Sequence, residues 1–184
     1  EKIFNFEEPR KILFSIIRNN DLYNLISRNL EKNNNFKKIV IKNKSFYKKI
    51  IKNNKYDLII NCDASNEISK KYFYRKVFKN YKSKAYITII NHKKIKNKKA
   101  IQIFTKYGPI AFLPISENQT SIVYSIKDKS INNKLELSQK EFEKLVSANN
   151  KLYEINFINK FQTFMLKSKT LKNYYNNNIL AFGD

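Results

Sequence analysis

Two aspartates in this chain stand where short apolar runs end. Tyr56-Asp-Leu-Ile-Ile-Asn-Cys-Asp63 closes on Asp63, and Asn178-Ile-Leu-Ala-Phe-Gly-Asp184 closes on Gly183-Asp184. A short continuous apolar run reads as a strand buried on both faces, and a carboxylate at its carboxyl end lies where open α/β sheets bind ligands. An ionised carboxylate there only accepts hydrogen bonds, and a glycine beside it admits a ligand closely. A third run, Tyr107-Gly-Pro-Ile-Ala-Phe-Leu-Pro-Ile-Ser116, holds two prolines, Pro109 and Pro114, an unusual pair for a sheet interior. Within it Ala111 and Leu113 alternate away from Ile110 and Phe112. Either one pair faces a cavity and the other a helix layer, or all four are core.

Other reactive side chains are sparse. The single Cys62 excludes an intramolecular disulfide framework, suits a reducing compartment, and reads as a small buried hydrophobe inside its strand. His92, beside Lys93 and Lys94, reads as a surface residue without a metal partner. Neither a catalytic triad nor a carboxylate pair is evident, and no metal site is expected.

The elements that must position these residues follow from periodicity. Glu7-Glu8-Pro9 opens a helix with Ile12, Leu13, Ile16 and Ile17 on one face, which Asn19-Asn20 closes. Leu22–Ser27, Lys38–Lys42, Phe46–Ile51 and Asp57–Ile60 read as short strands leading into a parallel sheet. The segments Leu58–Cys62 and Ile179–Phe182 are expected as neighbours in that sheet. Ala85–Asn91, Ala100–Thr105, Ile110–Ser116 and Ser121–Lys127 read as an antiparallel meander, with Ile122, Tyr124 and Ile126 on one face of the last strand. Ser138-Gln-Lys-Glu141 is a capping box, and Phe142, Leu145 and Val146 form the stripe behind it. That helix should cover one face of the meander.

A chain of 184 residues with 42% hydrophobic and 14% aromatic content has material for one core and more, so disorder throughout is excluded. Its formal net charge of +22 raises the prospect of a nucleic-acid or anionic-surface partner. Lysine and asparagine nonetheless accumulate in permissive runs such as Lys93-Lys94-Ile95-Lys96-Asn97-Lys98-Lys99, and a solvated surface explains them with no recognition motif in view. No apolar run approaches the roughly 20 residues that span a bilayer.

In this order and spacing the segments resemble the flavin-dependent aromatic hydroxylases of the para-hydroxybenzoate hydroxylase class, and most of all their ubiquinone-biosynthesis branch. The matching residues are Asp63-Ala64, where that family has Asp-Gly, then Gly108 to Pro114, Ser121-Ile122-Val123 and Gly183-Asp184. The resemblance covers nearly the whole chain but only the middle of the family: the Gly-x-Gly-x-x-Gly turn that holds the flavin pyrophosphate is not in this sequence. An internal portion of a hydroxylase is the expectation.

The resemblance implies an α/β fold, part of an FAD- and NAD(P)-binding Rossmann-like domain with an inserted α+β substrate domain. Residues 1–71 would belong to the FAD-binding domain, 72–176 to the substrate domain, and 177–184 to the returning strand. It implies FAD and NAD(P)H as cofactors, with Asp184 accepting from ribityl or ribose hydroxyls, Gly183 allowing approach, and Asp63 and Arg10 near the cofactor. Gly108, Pro109, Ala111, Leu113 and Pro114 would border the ring-binding cavity. The implied partner is a polyprenyl phenol or another aromatic substrate, within a quinone-biosynthesis complex. The implied location is the cytoplasm, peripheral to the inner membrane, with no specific nucleic acid bound. Ala64 in place of glycine would be strained if that position needs a positive φ.

Overall fold

The computed structural model of the chain describes residues 15–41, 43, 45–52, 56–127 and 136–183. In chain order the elements are α1 (Asn19–Glu31), α2 (Ser45–Lys52), β1 (Ile59–Asn61), α3 (Glu67–Tyr72), β2 (Lys76–His92), β3 (Ile101–Thr105), β4 (Gly108–Ser116), β5 (Gln119–Lys127), α4 (Gln139–Asn149), β6 (Ile155–Ile158), β7 (Gln162–Leu171), β8 (Tyr175–Asn176) and β9 (Ile179–Ala181). This is a mixed α/β chain. It forms two compact units, one from the residues up to Ser27 with Tyr81–Leu166, the other from Arg28–Asn80 with the residues from Lys167 onward.

The first half of the chain departs from the strands expected there. Leu22–Ser27 lies inside α1 and Phe46–Ile51 inside α2, while residues 38–41 have no regular structure. Asn19-Asn20 opens α1 instead of closing a helix; Ile16 and Ile17 precede it in irregular chain, and the expected helix start at Glu7-Glu8-Pro9 lies outside the described residues. The reason is spacing. Leu22, Leu25, Ile26 and Leu30 recur at three- and four-residue steps, with Asp21 in the first turn and Arg28 in the last, as the helix dipole favours. Tyr47, Ile50 and Ile51 repeat that spacing in α2, whose entry is tied by Ser45 N donating to Asn43 Oδ1 at 3.0 Å.

The larger unit is the expected antiparallel meander. Its sheet runs β3-β4-β5-β2-β6, with β7 also pairing β2. Alternation sets the register: Tyr86 lies opposite Tyr124 and Ile90 opposite Thr120, while Ile110 faces Tyr124 and Phe112 faces Ile122 on β4. Ile90, Ile110, Ile122 and Tyr124 are completely buried together with Phe142 and Val146 of α4. So Ile110 and Phe112 are the pair that faces the helix, and Ala111 and Leu113 look to the other side of the sheet. Tyr86 stacks on Phe142 with centroids 5.8 Å apart. The capping box forms as read: Ser138 Oγ accepts from Glu141 N, and Glu141 Oε2 accepts from Ser138 N at 2.9 Å.

Both prolines of β4 sit where a missing amide costs little. Pro109 is at the start of the strand, and Pro114 lies past the last β3 partner, Phe112, next to a register shift. Gly108 has a packing reason to be glycine: its φ is +141°, and a Cβ there would lie 2.0 Å from the Ser125 carbonyl oxygen.

His92 is buried, not at the surface. It continues the inward phase of Ile90, and its Nδ1 lies 2.8 Å from the Lys93 carbonyl, which can only accept. Its Nε2 is 2.9 Å from Thr120 Oγ1. That hydroxyl also accepts from Asn97 Nδ2 at 2.9 Å, and Tyr153 Oη donates to Asn97 Oδ1 at 3.1 Å. The lysine run is therefore pinned to the sheet through one half-buried asparagine side chain.

In the smaller unit a sheet of order β1-β9-β8 forms as expected from the two apolar runs. β1 and β9 are parallel, Ile59 beside Ile179 and Asn61 beside Ala181. Ile179 and Ala181 pack with Ile68 and Phe73 from α3 and its end. Burial on both faces does not hold, however: Leu58 and Ile60 are 57% and 56% exposed, because helices cover one side only.

Two outcomes test this packing. Gly108→Ala should cost about 2–4 kcal/mol in urea denaturation, from overpacking plus backbone strain. Burial, opposed by a hydrogen bond with Thr105, raises the Tyr124 phenol above its ordinary 10.0. Its neutral form is thus favoured by folding, a contribution present below the unfolded pKa and lost as pH rises through the folded one. Stability of Tyr124→Phe should fall less steeply than that of the wild type above about pH 10.

Candidate functional site

Parallel pairing brings the carboxyl ends of β1 and β9 out side by side, so Cys62-Asp63-Ala64 emerges next to Phe182-Gly183. The Phe182 amide donates to the Asn61 carbonyl at 3.0 Å. Asn61 itself is buried, on the inward phase set by Ile59. Its Nδ2 donates to Ser69 Oγ at 2.7 Å and its Oδ1 accepts from Asn66 Nδ2 at 2.6 Å. Ser69 Oγ in turn donates to the Asp63 carbonyl at 2.6 Å. Asn66 also caps α3, its Oδ1 accepting from Ser69 N at 2.9 Å. These four residues lock the turn after β1 onto the first turns of α3.

Asp63 points outward from this lock. It is exposed, and one oxygen accepts from Ser65 Oγ at 2.6 Å and from Ser65 N at 2.7 Å. Those hydrogen bonds, side chain first and backbone next, hold its carboxyl below the usual range. Ala64 is not among the described residues with positive φ, so the glycine-to-alanine difference introduces no such strain here. Cys62 is exposed, contrary to the expected buried hydrophobe, because the strand's alternation turns it away from Asn61. Gly183 has φ +107°, a conformation that suits glycine, while a Cβ there would meet only ordinary contact, 3.7 Å from the Cys62 carbonyl oxygen.

A cleft of about 60 Å³ opens at this strand end, lined by Asn61, Ser69, Phe73, Gly183 and the lysines Lys76 and Lys169. Asp63 and Gly183 thus come together, while Gly108, Pro109, Ala111, Leu113 and Pro114 all lie on β4 of the other unit. Arg10 and Asp184 lie outside the described residues. Among the described residues no group of His, Cys, Asp and Glu could hold a metal ion. Asn61, Asn66, Ser69, Lys76 and Lys169 were not singled out from sequence; for Asn61 the signal was available, since a polar residue at the inward phase of an apolar strand needs partners.

FAD does not fit the described residues by themselves. The chain has two glycines, Gly108 and Gly183, and no glycine-rich turn to receive a pyrophosphate. The cleft of about 60 Å³ is also far below the several hundred Å³ of sites for drug-sized ligands.

No protein-family model matches the chain. No curated protein matches it either. Among solved structures it is similar to CmlS, a flavin-dependent halogenase, with a TM-score of 0.48 and 13% identity over 67% of this chain and 24% of that one. It is also similar to the tetrameric form of 2-methyl-3-hydroxypyridine-5-carboxylic acid oxygenase, with a TM-score of 0.46 and 14% identity over 70% of this chain and 38% of that one. A third is tetracycline destructase Tet(51), with a TM-score of 0.40 and 13% identity over 70% and 38%. The chain therefore spans between 24% and 38% of the length of these proteins.

Asn61→Ala should destabilise the chain by about 2 kcal/mol, since it removes the donor to the buried Ser69 hydroxyl, which keeps only its bond to the Asp63 carbonyl, and takes the acceptor from the Asn66 amide. Asn61→Asp, which keeps the shape but loses the donor to Ser69, should recover little. Urea denaturation of both variants checks this.

Proposed function

We propose that this chain is the central part of a flavin-dependent aromatic-ring hydroxylase, contributing a substrate-domain sheet and two strands of the cofactor-binding sheet. The carrying observation is the parallel pairing of Ile59–Asn61 with Ile179–Ala181 around an inserted antiparallel sheet covered by α4. The order and spacing of the segments around Asp63, Gly108–Pro114 and Gly183-Asp184 support the same reading. The reaction would consume NAD(P)H, and the substrate would be a polyprenyl phenol of quinone biosynthesis.

In this reading Asp63 and Gly183 would stand at the cofactor end, and Asp184 would accept hydrogen bonds from cofactor hydroxyls. Bound FAD would supply oxygen activation. The protein's part is to position the ring and keep water away. Ala111 and Leu113, on the face of β4 turned from the helix, would border the ring cavity. Among the described residues no helix is long and apolar enough to cross a membrane.

Specific nucleic-acid binding is not part of the proposal. Lys94 and Lys93 are paired with Glu117 and Glu154, and Asn97 anchors their run to the sheet. That arrangement suits a surface loop better than a groove for phosphates.

The chain as given should show no stoichiometric FAD binding in a fluorescence titration, because the pyrophosphate lacks its turn. In a longer parent carrying a glycine-rich turn, FAD should bind, and Asp184→Ala should weaken it by about 1–3 kcal/mol. A parent that binds no flavin and oxidises no NAD(P)H with any aromatic substrate would overturn the assignment.

A further inference from the structure

The cleft beside β1 and β9 has an electrostatic feature that its packing does not require. Lys76, half-buried at the start of β2, and Lys169, exposed on β7, both line it, and their side chains lie close enough to interact directly. Burial first, and Lys169 second, hold the Lys76 ammonium below its usual proton affinity. Among the described residues no carboxylate pairs with either lysine. Like charges held together on neighbouring strands oppose folding. Elsewhere in the chain a shared carboxylate relieves such crowding, as Glu117 does for Lys94.

The surroundings match a small anion. Asn61 and Ser69 give the cleft polar atoms, Phe73 and Leu171 give it apolar wall, and the space suits a headgroup and not a whole cofactor. Two lysines lining such a space can offer point charges to phosphate or carboxylate oxygens. A bound anion would supply counter-charge to both lysines at once.

We propose that this cleft is a binding site for an anionic headgroup, phosphate or carboxylate, held between Lys76 and Lys169. The proposal does not rest on the flavin reading, since every residue it invokes is a described residue of this chain.

The test is calorimetric titration of the full chain with sodium phosphate and, separately, sodium benzoate, at constant ionic strength set with chloride. The expected result is saturable one-to-one binding of at least one anion, and the two arms identify the headgroup. Lys169→Gln and Lys76→Gln should each weaken binding about tenfold or more, while Lys160→Gln, on an exposed loop of the other unit, should leave it unchanged. Lys169→Gln is decisive because its side chain is exposed and its loss should not disturb the fold. As a second measurement, the bound anion should slow acetylation of Lys76 and Lys169, followed by mass spectrometry, relative to Lys160. Absence of saturable binding for both anions, or equal affinity in Lys169→Gln and wild type, would overturn the proposal. FAD titration of the longer parent is read separately, so either idea can fail alone.

Discussion

The contact on which the smaller unit depends is a backbone hydrogen bond between residues far apart in sequence: the Lys172 amide donates to the Arg75 carbonyl at 3.0 Å. It marks the place where the long insertion leaves and returns. Closing a loop costs entropy that grows slowly with length, about 0.6 kcal/mol per doubling. Here the intervening residues have a core of their own, with Tyr124, Phe142 and Ile122 completely buried. Once that core forms, the returning chain is delivered beside Arg75 and the remaining closure is short. Asn178 Nδ2 can then donate to the Tyr56 carbonyl at 2.7 Å across 122 positions, and Ile179 can pair with Ile59.

The same constraint explains why the smaller unit has a weak side. A parallel strand pair is normally covered on both faces. In this unit α3, with Tyr47 and Ile51 of α2, covers one, and the other presents Ile60, Tyr175 and Phe182, which are 56%, 75% and 67% exposed. The buried side is held by few apolar residues, so polar bonds carry an unusual share of its order. That gives the Asn61–Ser69–Asn66 lock its importance: it joins strand end, turn and helix through buried hydrogen bonds whose loss leaves unsatisfied groups.

How far the sequence revealed all this depends on which physical signal dominates each segment. Strict alternation with one buried face made β2 to β5 legible, down to Ile110 and Phe112 turning toward the helix. The capping box made α4 legible for the same kind of reason, a local signal with a single structural meaning. The first half misled because β-branched isoleucine among asparagines and lysines mimics strand composition, while the three- and four-residue spacing of Leu22, Leu25, Ile26 and Leu30 carried the real information. His92 and Cys62 were misplaced by reading neighbours instead of phase. His92 keeps the phase of buried Ile90, and Cys62 opposes that of buried Asn61, so parity alone puts one inside and the other out. The lysine pair at the cleft was beyond reach, because Lys76 and Lys169 meet only through the tertiary path of β2 and β7.

A net charge of +22 is compatible with folding because most of it is solvated and screened over a Debye length of about 8 Å at physiological salt. In places the chain neutralises it: Lys84 reaches Glu136 at 3.3 Å and Lys94 reaches Glu117 at 2.8 Å. Such exposed pairs add little energy by themselves. They matter as a contrast with the cleft of the smaller unit. At the cleft between Lys76 and Lys169 no carboxylate is paired with either lysine among the described residues. A cleft lined by two lysines and polar walls, with no paired carboxylate among the described residues, is what an external anion would complete, whichever larger molecule carries it.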